Sequence, residues 1–200
     1  MASFPDQKTF TEMAGDYDAI PITRRLLSDS LTPVSAFRRI DNGRTACLFE
    51  SVIGGENVGR YSFLAIDPQV QVASFGNRVT LTEDGTSDSY HSDNPLEEIR
   101  RRINLYKVAQ FSDMPPFTGG AVGYAGYDVV RYVEDLPNAP DDDRDLPDLS
   151  FAFYDRMLVF DHIPKTITVV ALAWTKKHES LDAAFEDANR RIDEMLDCLN

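Results

Sequence analysis

The chain has 200 residues, of which 42% are hydrophobic and 10% aromatic, enough to bury a core in one large domain or two small ones. Its 33 acidic against 20 basic residues leave a formal net charge of -13, which repels phosphate backbones and anionic lipid, so nucleic acid and membrane surfaces are set aside as partners. Two scattered cysteines, Cys47 and Cys198, give neither a disulfide framework nor a metal-ligand spacing, and Met1 to Lys8 lacks the charged and apolar regions of a secretion signal, so the expected compartment is the cytoplasm.

Thr9-Phe10-Thr11-Glu12 has the spacing of a capping box and predicts a short helix that Gly15 can end. Thr32-Pro33 predicts a second helix start, with Ala36, Phe37 and Ile40 on one side, and Asp41-Asn42-Gly43 turns the chain. Strand patterns follow at Thr45–Ser51, Arg60–Ile66, Gln71–Phe75 and Arg78–Thr82, with Gly76-Asn77 between the last two, and tight connections favour an antiparallel meander. Asn94-Pro95-Leu96-Glu97 opens a helix carrying Leu96, Ile99 and Ile103 at helical intervals, with Arg100, Arg101 and Arg102 toward solvent. Gly119 to Tyr124 is apolar and glycine-rich, which predicts close backbone packing, and a short helix runs on through Tyr132. Pro137 to Pro147 reads as a surface excursion. Leu149–His162 and Thr166–Trp174 read as two long strands joined around Ile163-Pro164-Lys165. Leu181, Ala184, Phe185, Ala188, Ile192, Met195, Leu196 and Leu199 form the apolar stripe of a terminal amphipathic helix. The fold class is α+β, a layered, largely antiparallel sheet covered by helices.

The glycines of 119–126 are not followed by the lysine of a phosphate loop. Asp141, Asp142, Asp143, Asp145 and Asp148 lack the glycine and terminal glutamate of a calcium loop and read as a solvated acidic stretch. His91, His162 and His178 lie far apart without metal or triad spacing, which leaves them surface, turn or hydrogen-bonded structural roles. Glu50-Ser51 ends the apolar run Ala46-Cys47-Leu48-Phe49. On periodicity alone the pair solvates or caps a strand end.

Several blocks, taken in order, resemble the amino-terminal region of anthranilate synthase component I. They are Leu31-Thr32-Pro33-Val34-Ser35-Ala36-Phe37, Leu48-Phe49-Glu50-Ser51, Gly59-Arg60-Tyr61-Ser62-Phe63, Gly119 to Tyr124 with Tyr127-Asp128, and Val159-Phe160-Asp161-His162. The resemblance implies that residues 1–200 are a regulatory domain sensing L-tryptophan, with Pro33, Leu48, Glu50 and Ser51 in the effector site and Tyr61 and Ser62 as weaker candidates. Phe49 stands where the family has a second leucine, which keeps apolar character and alters pocket shape. The resemblance also implies that the chorismate and Mg2+ residues belong to a carboxy-terminal catalytic domain absent from this sequence. It follows that these 200 residues alone are inactive and hold no catalytic or metal residues. The complete enzyme, a lyase, would use ammonia from a glutaminase component II to turn chorismate into anthranilate and pyruvate. Aminodeoxychorismate synthase component I is the nearest alternative, and a stand-alone amino-acid-binding module is the alternative from another class.

Overall fold

The structure is a computed structural model that describes residues 2–28, 30–50, 59–138 and 142–199. In chain order it contains α1 (Gln7–Met13), β1 (Ala19–Leu27), α2 (Pro33–Ile40), β2 (Ala46–Phe49), β3 (Tyr61–Ile66), β4 (Val70–Phe75), β5 (Arg78–Glu83), β6 (Thr86–His91) and α3 (Pro95–Ile103). There follow β7 (Gly120–Ala125), a 3-10 segment at Tyr127–Tyr132, β8 (Leu149–Tyr154), β9 (Arg156–Asp161), β10 (Thr166–Trp174) and α4 (Leu181–Leu199). The α+β class with antiparallel pairing holds, but the strands form two five-stranded sheets, ordered β1-β10-β9-β3-β2 and β6-β5-β4-β8-β7. The chain divides into two compact units: residues 1–67, 106–120 and 154–200, and residues 68–105 and 121–153.

In the first unit, α4 places Ala184, Ala188, Ile192, Met195 and Leu199 in the core with Ile20, Ile22, Leu64, Leu158 and Val169. The predicted stripe is the buried face. A buried ion network fixes the same helix: Arg191 reaches Asp155 at 2.7 Å and Asp187 at 2.8 Å, and Trp174 Nε1 donates to Asp155 at 2.9 Å. Asp155 also explains why the predicted strand 149–162 is two strands. Its buried carboxylate faces Arg191 and Trp174, its carbonyl accepts Leu172 N–H, and the chain changes sheets there. Helix α2 starts as predicted, with Pro33 in its first turn and a reciprocal Thr32–Ser35 capping box. Helix α1 starts earlier than predicted, because Asp6, not Thr9, is the cap and accepts Thr9 N–H at 2.8 Å.

In the second unit, β4, β5 and β6 form a meander. The expected continuation of that meander back to β3 is absent, since β3 pairs with β2 and β9. Gly123 is where close packing is compulsory: a Cβ there would lie 2.0 Å from the Ser150 carbonyl oxygen and 2.6 Å from Phe151 Cα. Helix α3 is capped by Asn94 as predicted. Arg100 and Arg101 face solvent, but Arg102 is folded onto the buried Glu98 at 2.7 Å, with only 12% of its side chain exposed. Glu98 attracts it because a buried carboxylate needs cationic partners. Tyr132 closes the unit with hydroxyl contacts to Ser74 at 3.1 Å and the Gly76 carbonyl at 2.9 Å.

Candidate functional site

Strand register decides which candidate residues can meet in the first unit. Leu48 sits opposite Leu64 across β2 and β3, while Leu64 faces Leu158 and Ser62 faces Phe160 across β3 and β9. Side chains alternate along a strand, so Leu48, Ser62, Leu64, Leu158 and Phe160 share one face. That face carries the helix-covered core to which Leu64, Leu158 and Phe160 belong and on which Leu48 packs. Helix α2 lies against β2 and β3, with Pro33 buried in its first turn. The structure therefore brings Pro33, Leu48 and Ser62 to one region of the unit. Glu50 follows the last paired residue of β2, lies outside the ladder and is exposed. Tyr61 belongs to the other face with Phe63, its ring 6.1 Å from that of Phe63. Ser51 lies outside the described residues.

Two side-chain links tie the start of β3 to the end of β9. Arg60 grips Asp161 with two hydrogen bonds of 3.0 and 2.7 Å, and its guanidinium lies 4.9 Å from the Tyr61 ring centroid. Burial pushes the Asp161 carboxyl up, but the Arg60 bonds and the Ile163 N–H outweigh it, so the group titrates below its ordinary range. The second link is Ser62 Oγ to His162 Nε2 at 2.7 Å. Ser62 has no exposed surface, whereas the His162 side of the contact is open to solvent. This is no hydrolytic dyad: the serine is sealed from substrate, and the adjacent carboxylate of Asp161 is taken by Arg60 and does not orient the imidazole. Local spacing offered no signal for this pair, which lies 100 residues apart in the chain. Only the pairing of β3 with β9 creates it.

Cys47 is half-buried on the face opposite Leu48. Burial pushes its thiol up, against the opposing hydrogen bonds of Ala65 and Tyr154, and the Tyr154 hydroxyl is itself raised by burial and by Cys47. A raised thiol is a poor nucleophile, which leaves the pair a packing role. Among the described residues, no three His, Cys, Asp or Glu side chains converge to hold a metal ion. Of the predicted acidic stretch, Asp142 serves a local turn by accepting the N–H groups of Arg144 and Asp145, whereas Asp148 makes a long-range contact by accepting Gly76 N–H at 2.6 Å. Asp141 lies outside the described residues. None of the described helices is long and apolar enough to cross a membrane.

The chain belongs to the chorismate-binding enzyme family, whose model matches residues 45–195. Within that family its relatives carry the name anthranilate synthase. Component 1 from Acetivibrio thermocellus is 40% identical over 158 residues, covering 79% of this chain and 32% of that protein. Component 1 from Mycolicibacterium smegmatis is 30% identical across 100% of this chain and 38% of its own length. The crystal structure of anthranilate synthase component I from Streptococcus pneumoniae TIGR4 aligns at a TM-score of 0.50 with 27% identity, covering 86% of this chain and 36% of that one. The chain thus spans about a third of the length of the curated relatives it matches.

Proposed function

We propose that residues 1–200 are the amino-terminal, L-tryptophan-sensing regulatory domain of an anthranilate synthase component I. The observation that carries this reading is the run of relatives bearing that enzyme's name, aligned over 79 to 100% of this chain but only about a third of themselves. The complete enzyme would aminate chorismate with ammonia from a glutaminase component II and eliminate pyruvate to leave anthranilate. Mg2+ belongs with the chorismate site in a catalytic domain outside these residues. No step of that chemistry is assigned to the side chains described above.

The effector site draws on Pro33, Leu48, Glu50 and Ser51, with Ser62 at its back. An apolar floor with a few polar groups at one end suits an indole body carrying an ammonium and a carboxylate. Tyr61 is the weakest candidate, because register places it on the other face. Two assays of anthranilate fluorescence test the reading. The protein encoded by the complete reading frame should make anthranilate from chorismate, Mg2+ and ammonia and be inhibited by L-tryptophan. Residues 1–200 alone should make none. Turnover proportional to the short chain, or a complete enzyme indifferent to tryptophan, would overturn it.

A further inference from the structure

The second sheet ends in two unlike edges. At one, β6 is Thr-Ser-Asp-Ser-Tyr-His, polar and exposed throughout, and two of its hydroxyls are tied back to β5 at 3.0 and 2.8 Å. Polarity and charge of this kind keep an edge from pairing with another strand. The first sheet guards its β1 edge by other means: Pro21 has no N–H, Phe4 exchanges two backbone bonds with Thr23, and Ala109 N–H reaches the Ala19 carbonyl at 3.0 Å. Strand β7 has none of these devices. It reads Gly-Ala-Val-Gly-Tyr-Ala, without charge or proline, and its last three residues are exposed. Every second residue of an edge strand turns its N–H and C=O away from the sheet, and among the described residues only β8 pairs with β7. Tyr124, itself 46% exposed, donates to the Pro147 carbonyl at 3.1 Å, which brings the 58% exposed Leu146 close to the strand.

Building on the reading above that the chorismate chemistry resides in further polypeptide, we propose that the outer edge of β7 is a strand-addition surface, filled in the complete protein by an extended segment of that catalytic part. The second sheet thereby grows from five strands to six. Adding a strand gains a short run of backbone hydrogen bonds, each of modest net worth, too few to hold a separate molecule firmly. A segment of the same polypeptide arrives at the high effective concentration of an intramolecular contact, which makes so small a ladder sufficient. Length allows it, since these residues span only about a third of the relatives they match. A second copy is disfavoured by charge, because a formal net charge of -13 sets identical molecules against each other. The segment that fits carries no acidic run, as Asp145 and Asp148 flank Leu146 and Pro147, and it offers an apolar side chain to Tyr124 and Leu146.

Hydrogen exchange resolved to single amides, on the protein from the complete reading frame, tests this. Every amide from Ala121 to Ala125 should exchange at least ~100-fold more slowly than in an unfolded chain, whereas alternate amides of β6 should exchange near the unfolded rate. Alternation in β7 as well, with anthranilate turnover intact, would overturn the strand addition alone. Protection that rises with protein concentration would make the occupant a second copy, and protection that appears only when the glutaminase component II is added would make it that partner. Either outcome overturns the in-chain segment. A complete protein without turnover would overturn the earlier reading and the identity of the occupant with it. Exchange is read without reference to turnover, so the two failures are told apart.

Discussion

Replacing Ile192 by alanine tests how the first unit is held together. The side chain is fully buried in the middle of α4, against core residues of the first sheet. The change deletes three carbons, and at ~0.8 kcal/mol per buried methylene the transfer term alone is about 2.4 kcal/mol. The cavity adds to it, because a sheet on one side and a long helix on the other relax only partly, for a total of roughly 3 to 4 kcal/mol. With a urea slope near 2 to 3 kcal/mol per M, the midpoint should fall by about 1 to 2 M at constant slope. Trp174, the one tryptophan of the chain, is 9% exposed in the same unit and reports the transition by fluorescence. Leu27→Ala, at a side chain 75% exposed, is the control and should shift stability by no more than about 0.5 kcal/mol. A midpoint unchanged in Ile192→Ala would mean that α4 is not packed on the sheet.

Further predictions concern the second unit and acid. Gly123→Ala should destabilise the second unit by several kcal/mol in urea denaturation followed by far-UV circular dichroism, because the new methyl meets backbone at 2.0 Å and neither strand can yield cheaply; a neutral result would contradict the β7–β8 packing. Burial pushes the Glu98 carboxyl up, yet Arg101, Arg102 and Tyr90 prevail and hold it below its ordinary value. A depressed carboxylate contributes stability that is complete above its unfolded pKa of about 4.3 and is lost as pH falls through the folded value. Stability of Glu98→Gln should therefore vary less than wild type below about pH 4, measured by acid titration of far-UV circular dichroism, and matching acid transitions would refute the pairing.

The parts of the fold that were legible in the sequence are those whose signals are local. Thr32-Pro33, Asn94-Pro95 and the stripe from Leu181 to Leu199 each state a cap or a helical period, and each is a helix. Strand β1 was not legible, because Pro21 interrupts a run without alternation; only its place at the edge of the sheet lets proline stay in the ladder. Strand β6 reads as polar linker, being Thr-Ser-Asp-Ser-Tyr-His with every residue exposed, and it is held by pairing to β5, with Thr80–Ser89 at 3.0 Å and Thr82–Ser87 at 2.8 Å. The split at Asp155 depends on Arg191 and Trp174, neither of which is near in sequence. The same holds for the candidate site: Leu48-Phe49-Glu50-Ser51 was visible as a block, whereas the Ser62–His162 bond is a product of the β3–β9 pairing alone.

The account's central claim is that this region binds the effector and leaves the chemistry to other residues. Anthranilate production by the protein from the complete reading frame, followed across a tryptophan titration at saturating chorismate for wild type and Ser51→Phe, tests it most directly. The larger side chain removes a hydroxyl and fills ligand space, and losing a hydrogen bond while stranding its partner costs about 1 to 3 kcal/mol, or roughly 5- to 150-fold in affinity. The predicted result is unchanged uninhibited activity with the inhibition curve moved to higher tryptophan by that factor. An unmoved curve, or loss of uninhibited activity in a folded variant, would contradict it.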